Sequence, residues 1–220
     1  VTLVGETHNA SFSFANTQTV TAVGGSTSGD WNYYTISWSN GGGGVGGATI
    51  TSADGATLLA TLSGNTATQC IFRIAYSAGL SGVFNANVND WCSNQLVTLR
   101  GRSGTETFVQ ATNYTGSYQS PPATLLYTGG TAGAGDDLLL LGGIDPNNSD
   151  PWAYTGGTCT AGTFTDLPGV PNGQNAQTLA QYLLNVSAGA TGNASLTATG
   201  TPSFISADFA AVMLAASPSG

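Results

Sequence analysis

The side chains able to do chemistry are few and scattered. One histidine, His8, stands two residues after Glu6 near the start of the 220-residue chain. A histidine base needs a nucleophile and an orienting acid brought to it, and the chain contains no G-x-S-x-G elbow. His8 is therefore expected to be a surface histidine near the terminus. Glycoside hydrolysis needs two placed carboxylates, and here Glu6 and Glu106 join nine aspartates, several in turn contexts such as Asp54-Gly55. Cys70, Cys92, Cys159 and His8 stand at no recognised zinc spacing. With no catalytic set in view, the chain reads as a non-enzyme.

Oxygen ligands for a hard cation are better grouped. Asp145, Asn147, Asn148 and Asp150 crowd one stretch that also holds two prolines, and Asp136 and Asp137 stand just before the apolar run leading to it. Asp145, Asn147 and Asp150 are thus candidate ligands of a structural calcium, although turns select the same residues without any ion. No organic cofactor is implied. The glycine stretch Asn40 to Gly47 holds a formal G-x-G-x-x-G at Gly42, Gly44 and Gly47, but the following ATITSADGATLLATL reads as a hairpin turning at Asp54-Gly55, not as the helix a dinucleotide site requires. Trp31, Tyr33, Trp91, Tyr114, Tyr118, Trp152 and Tyr154 include several rings beside Gly, Ser or Asn, where they could stack on sugar faces or anchor an interface. Core aromatics look the same in sequence.

Charge narrows the partners. Only 6% of residues are charged, against about a quarter in a typical domain. Lysine is absent, and Arg73, Arg100 and Arg102 stand against a net charge of -8. Three arginines cannot neutralise a run of phosphates, so nucleic acid and anionic membrane surfaces are excluded as partners. The longest apolar run, Leu138 to Leu141 continuing through two glycines to Ile144, falls far short of the roughly 20 residues of a spanning helix. With 9% aromatic and 40% hydrophobic residues, the chain has the means to fold rather than remain disordered.

The elements that must position these residues read as strands. From Cys70 to Tyr76 the chain alternates, with Cys70, Phe72, Ile74 and Tyr76 on one side and Ile71, Arg73 and Ala75 on the other. Both sides are largely apolar, as in a strand between layers, so Arg73 must reach the rim or find a carboxylate. Gly79 and Gly82 supply a turn, Val83 to Val88 a second run, and Leu96, Val97 and Leu99 a third that ends at Arg100-Gly101-Arg102. In Trp31 to Trp38, the set Tyr34, Ile36 and Trp38 is expected to face the core, with Trp31, Tyr33, Thr35 and Ser37 opposite. Thr105 to Tyr114, Leu125 to Tyr127 and Phe204 to Ala216 also read as strand, and Asp145 to Pro151 as loop. Ala176 to Ser187 fits a helix or a strand, and its β neighbours favour strand. Three cysteines leave at least one unpaired; Cys70 and Cys92 are the one pair to test, and buried free thiols are the favoured reading. Roughly a dozen short strands at hairpin spacing predict an all-β fold, a two-sheet antiparallel sandwich of jelly-roll type in a single domain over residues 1–220, with long Gly-rich loops.

Several stretches in order resemble a family of virion-associated β-sandwich proteins of tailed bacteriophages: the opening VTLVGE, FRIAYSAG from Phe72, NQLVTLRGR ending at Arg102, GDDLLLLGG from Gly135, and the closing ISADFAAVMLAAS from Ile205. The resemblance implies a non-enzymatic structural part of a particle, decorating or cementing the capsid exterior or belonging to a tail fibre or spike. Its implied partners are other virion proteins, such as major capsid or tail proteins, and further copies of itself, with a trimer the candidate assembly and a host-surface glycan a further candidate. The implied location is the virion surface. A lysine-free exterior suits such docking, because it avoids the rotamer entropy and desolvation that charged side chains would cost at each contact. The reading from a different class is an extracellular carbohydrate-binding or adhesive module.

Overall fold

A computed structural model describes residues 2–8, 13–39, 47–64, 67–114, 123–146, 152–168, 177–200 and 207–220, and among these no helix occurs. In chain order the strands are β1 (Thr2–His8), β2 (Ser13–Thr19), β3 (Trp31–Ser39), β4 (Ile50–Ser52), β5 (Thr57–Ser63) and β6 (Ala67–Ala75). There follow β7 (Val83–Arg100), β8 (Arg102–Tyr114), β9 (Ala123–Tyr127), β10 (Thr131–Ala132), β11 (Asp137–Pro146) and β12 (Trp152–Cys159). The last are β13 (Gly162–Thr163), β14 (Thr165–Leu167), β15 (Gln177–Leu183), β16 (Gly189–Ala190), β17 (Ala194–Gly200) and β18 (Ala207–Pro218). All described pairings are antiparallel.

The expected all-β, antiparallel, sandwich-like character holds, and the layers number more than two. A front sheet runs β1-β7-β3-β6-β5, with β2 and β4 paired to the first half of β7. A middle sheet runs β14-β15-β11-β18-β8, a back sheet runs β13-β12-β17-β9, and β10 pairs with β16. The middle sheet is apolar on both faces, which is why its strands read LLLLGGI and AAVMLAAS instead of alternating with polar residues. Leu138, Leu140, Leu179 and Met213 pack against Leu125, Tyr127 and Leu196 of the back sheet. Leu139, Leu141, Val212 and Leu214 pack against Tyr33, Ile71, Val97 and Leu99 of the front sheet. Leu138 to Leu141 are all 0% exposed, and each such burial is worth about 1.5–3 kcal/mol.

The front sheet is covered on both sides as well. Its outer face presents Tyr34, Ile36, Trp38, Phe72 and Leu96, and these pack with Val20, Val23, Ile50 and Phe84. The expectation that only one side of β3 is core is therefore corrected: Tyr33, Thr35 and Ser37 are as buried as Tyr34, Ile36 and Trp38. Two further readings change. Val83 to Val88 and Leu96 to Leu99 are not separate strands but the two halves of β7, half-exposed at first and fully buried later. The turn at Asp54-Gly55 exists, but it joins no hairpin, since β4 pairs with β7 and β5 with β6. Gly82 holds a φ of +63° and lies against the Val20 carbonyl, where an added Cβ would sit 2.2 Å from the oxygen, so only glycine fits this corner.

Strand order also settles the thiols. Cys70 is in register with Ile36 and Cys92 with Trp38, on strands that flank β3 from opposite sides. Two strand spacings separate them by roughly 10 Å, beyond the roughly 7 Å a disulfide spans. All three cysteines are free, Cys70 and Cys92 buried.

Candidate functional site

Arg73, Arg100 and Arg102 are the whole arginine and lysine inventory, so their placement decides whether the surface can hold an anion. Arg73 on β6 donates from Nη1 to Oε2 of Glu106 on β8 at 2.5 Å, tying the front sheet to the middle one. Its guanidinium lies 5.3 Å from the centroid of the Trp31 ring, and Tyr33 donates its hydroxyl to the other Glu106 oxygen at 3.1 Å. Burial, reinforced by Glu106, pushes the Tyr33 phenol far up, so it remains a donor. The need of Arg73 for a carboxylate is thus met across the sheets.

Arg100 grips Asp30 through Nε and Nη2, each at 2.8 Å, and that bidentate bond holds the Asp30 carboxyl below its usual range. Arg102 is fully buried beside Asp137, with Nε 3.0 Å from Oδ2 but not aligned for a hydrogen bond, while Nη1 donates to the carbonyls of Gly135 and Ala216. Burial pushes the Asp137 carboxyl up and the Arg102 guanidinium down, each opposed in part by its partner. Every guanidinium is paired with a carboxylate, although the Arg100 side chain stays 46% exposed. Arg100 and His8 are the cationic side chains most open to solvent, at 46% and 24%.

His8 is not the bare surface histidine expected. It ends β1, its side chain is 24% exposed, and Nδ1 lies 2.6 Å from Oε1 of Glu6, whose side chain is 7% exposed. Gln95 of β7, in register with His8, donates Nε2 to the same Glu6 oxygen at 3.2 Å and to the Pro168 carbonyl at 2.7 Å. An acid therefore orients the imidazole, as in hydrolytic sites. Among the described residues no hydroxyl or thiol is hydrogen-bonded to His8. The Glu6–Gln95 link could not be read from sequence, because it depends on β1 pairing with a strand almost ninety positions away.

The sequence-predicted aromatics do not converge. Tyr33 is 0% exposed and committed to Glu106, which removes it from any stacking surface. Trp31 is half-buried under Arg73, on the rim of the front–middle interface. Trp91 is half-buried and meets Phe14, its cross-strand partner, edge-on with ring centroids 5.4 Å apart. Phe14 is 55% exposed and was not singled out in the sequence; its only signal is an aromatic on a strand otherwise made of polar and small residues. Trp152 and Tyr154 lie on β12, in register with Gly200 and Ala198, and Tyr118 lies outside the described residues.

The calcium expectation is altered at its first member. Asp145 belongs to β11, not to a loop, and its register partner is Asp208 of β18. Asn147 and Asp150 lie outside the described residues, among which no group of three or more His, Cys, Asp or Glu side chains could hold a metal ion. A pocket lined by Val20, Asn32, Tyr34, Tyr76, Leu80 and Gly82 measures about 50 Å³. Pockets that enclose an organic ligand run to about 300 Å³ or more, so this one is too small for a sugar ring. Comparison with protein-family models, with curated proteins and with solved structures finds no match.

Proposed function

We propose that this chain is a non-enzymatic structural protein of a virus particle, decorating or cementing a capsid exterior or forming part of a tail fibre or spike. The observation that carries the reading is the pairing of all three arginines with carboxylates, which leaves the described exterior poor in free cations and dotted with isolated apolar side chains. Such a surface docks without breaking hydration shells around cations, and contacts made this way respond weakly to salt. A stack of sheets with three cores is a rigid block suited to repetition by symmetry.

Antibody against the chain, gold-labelled and imaged on particles purified from the native source, tests this directly. Regularly spaced label on particles is the expected result. Label confined to cell surfaces or to soluble fractions overturns it.

A second reading, an extracellular carbohydrate-binding module, is favoured by one feature, the exposed Phe14 beside Trp91. A ring exposed on one face suits stacking on a sugar. Glycan-array binding abolished by Phe14→Ala, in a protein that is monomeric and absent from particles, would establish this reading in place of the first.

A further inference from the structure

The interface between the front and middle sheets changes character along its length. Reading across the front sheet from β6 through β3 to β7, one row is Arg73, Tyr33 and Val97, the next Ile71, Thr35 and Gln95, and the next Gln69, Ser37 and Ser93. The apolar members of the first rows make the dry core with Leu139, Leu141, Val212 and Leu214. Past Ile71 these three strands contribute only polar members to the two rows, with Leu62 of β5 closing the Gln69 row, yet burial does not relax. Thr35 is 1% exposed, Gln69 2%, Ser93 0% and Gln95 1%.

The middle sheet changes in step. On the strand face that carries Leu139 and Leu141, the next position along β11 is Gly143, in register with Thr178 of β15 and Ala210 of β18. Thr178 is 0% exposed. Gln95 fixes how the two polar ends meet, since its amide reaches the carbonyl of Pro168, one residue past β14, whose Leu167 is in register with Ala180, two residues from Thr178. The Thr178 end of the middle sheet therefore adjoins the Gln95 end of the front sheet.

Six buried atoms here make no hydrogen bond to another protein group: Thr35 Oγ1, Ser93 Oγ, Thr178 Oγ1, Gln95 Oε1, and both Oε1 and Nε2 of Gln69. Buried polar side-chain atoms are almost always satisfied, by protein or by ordered water. The set combines donors and acceptors and includes no charge, which suits neither a metal ion nor an anion. It asks for something small that both donates and accepts, as each buried water does through about three hydrogen bonds.

We infer that the polar end of the front–middle interface is an internal hydration site, where ordered water bridges the hydroxyls of Thr35, Ser93 and Thr178 and the amides of Gln69 and Gln95. The short side chains and Gly143 at this end set the space that the water fills.

Oxygen-17 magnetic relaxation dispersion on the intact protein counts waters held longer than the molecule takes to tumble. The near-isosteric double variant T35V/T178V, checked for native strand content by circular dichroism, is expected to lose at least one such water relative to the parent. An equal dispersion amplitude in parent and variant overturns the inference. A crystal structure of the parent provides the test should the variant fail to fold: water density between these five side chains supports the site, and direct side-chain bonds or a non-water occupant refute it.

Discussion

At the scale of single residues, two positions carry more than their size suggests. Gly104 on β8 has a φ of +75°, and a Cβ there would come within 2.0 Å of the Trp31 ring, which is itself held by Arg73. Gly104→Ala must adopt a disfavoured backbone and displace an indole that has little room to move, so it is expected to lower stability by about 2–4 kcal/mol. A urea titration read by tryptophan fluorescence measures this, and a midpoint unchanged from the parent would refute the packing argument. Arg102 and Asp137 form the fully buried pair. Removing one partner strands the other, so Arg102→Met is expected to cost about 3–5 kcal/mol, while the double variant R102M/D137L recovers most of that. The pH dependence follows from direction. The Asp137 carboxyl is raised in the folded state, so between its unfolded and folded values the native protein binds the extra proton, and this residue's contribution falls as pH rises through that window. Without Arg102 the carboxyl rises further, and the deficit of Arg102→Met should shrink as pH falls below it. Asp30 acts in the opposite sense. Its lowered carboxyl contributes stability above the ordinary value of 3.8 that is lost as pH falls through the folded one. Asp54 behaves likewise: burial raises it, but three hydrogen bonds from Ser81 and Gly82 outweigh burial and bring it down. Comparing R102M with the parent at each pH cancels these common terms.

Among the elements, β7 organises the most and was the least legible. Its 18 residues pair with β2 and β4 at one end and with β1 and β3 at the other. In sequence the polar NANVND in its middle looks like a break, because alternation reports exposure and not continuity, and the first half of this strand has a wet face. The middle sheet was legible for the converse reason. Runs such as Leu138 to Leu141 show that both faces are covered, whereas which two neighbours cover them depends on pairings distant in sequence. Ala176 to Ser187 fits helix and strand equally until β11 and β14 are seen on either side of β15. The half of the candidate site carried by β1 was hidden by the same non-local pairing, and the arginine partners were hidden by the inter-sheet packing. Strand order also predicts thiol behaviour. Cys70 and Cys92 are buried on either side of β3, out of reach of a reagent, and burial pushes the Cys70 thiol up. A colorimetric thiol titration of the native protein is expected to show at most one group reacting, Cys159, and three in denaturant. A single titratable thiol in denaturant without reductant, as a Cys70–Cys92 disulfide would leave, would contradict the strand order.

For the molecule as a whole, the shared middle sheet decides how it comes apart. A back sheet that left on its own would uncover Leu138, Leu140, Leu179 and Met213, and a front sheet that left would uncover Leu139, Leu141, Val212 and Leu214. Each face is large and apolar, so neither partial state has compensation in water. The C-terminal strand β18 sits between β11 and β8, so both cores need the last part of the chain to be in place before either is complete. Long-range pairing of this kind argues for slow folding and for a single cooperative transition. Leu125 and Tyr127 of β9 and Leu196 of β17 carry the back-sheet core, while Trp38 is buried in the outer core of the front sheet. Amide hydrogen exchange on β9 and β17, and the fluorescence of a Trp152→Phe variant that keeps only the front-sheet Trp31, Trp38 and Trp91, therefore report from opposite ends of the stack. Measured against urea, the two transitions are expected to coincide, with the same midpoint and the same slope. Loss of amide protection on β9 and β17 that runs ahead of the fluorescence change by more than the error of the midpoints would mean that the back sheet melts alone. The middle sheet would then be a surface that merely rests on its neighbour, and the rigid block on which a role in assembly depends would be lost.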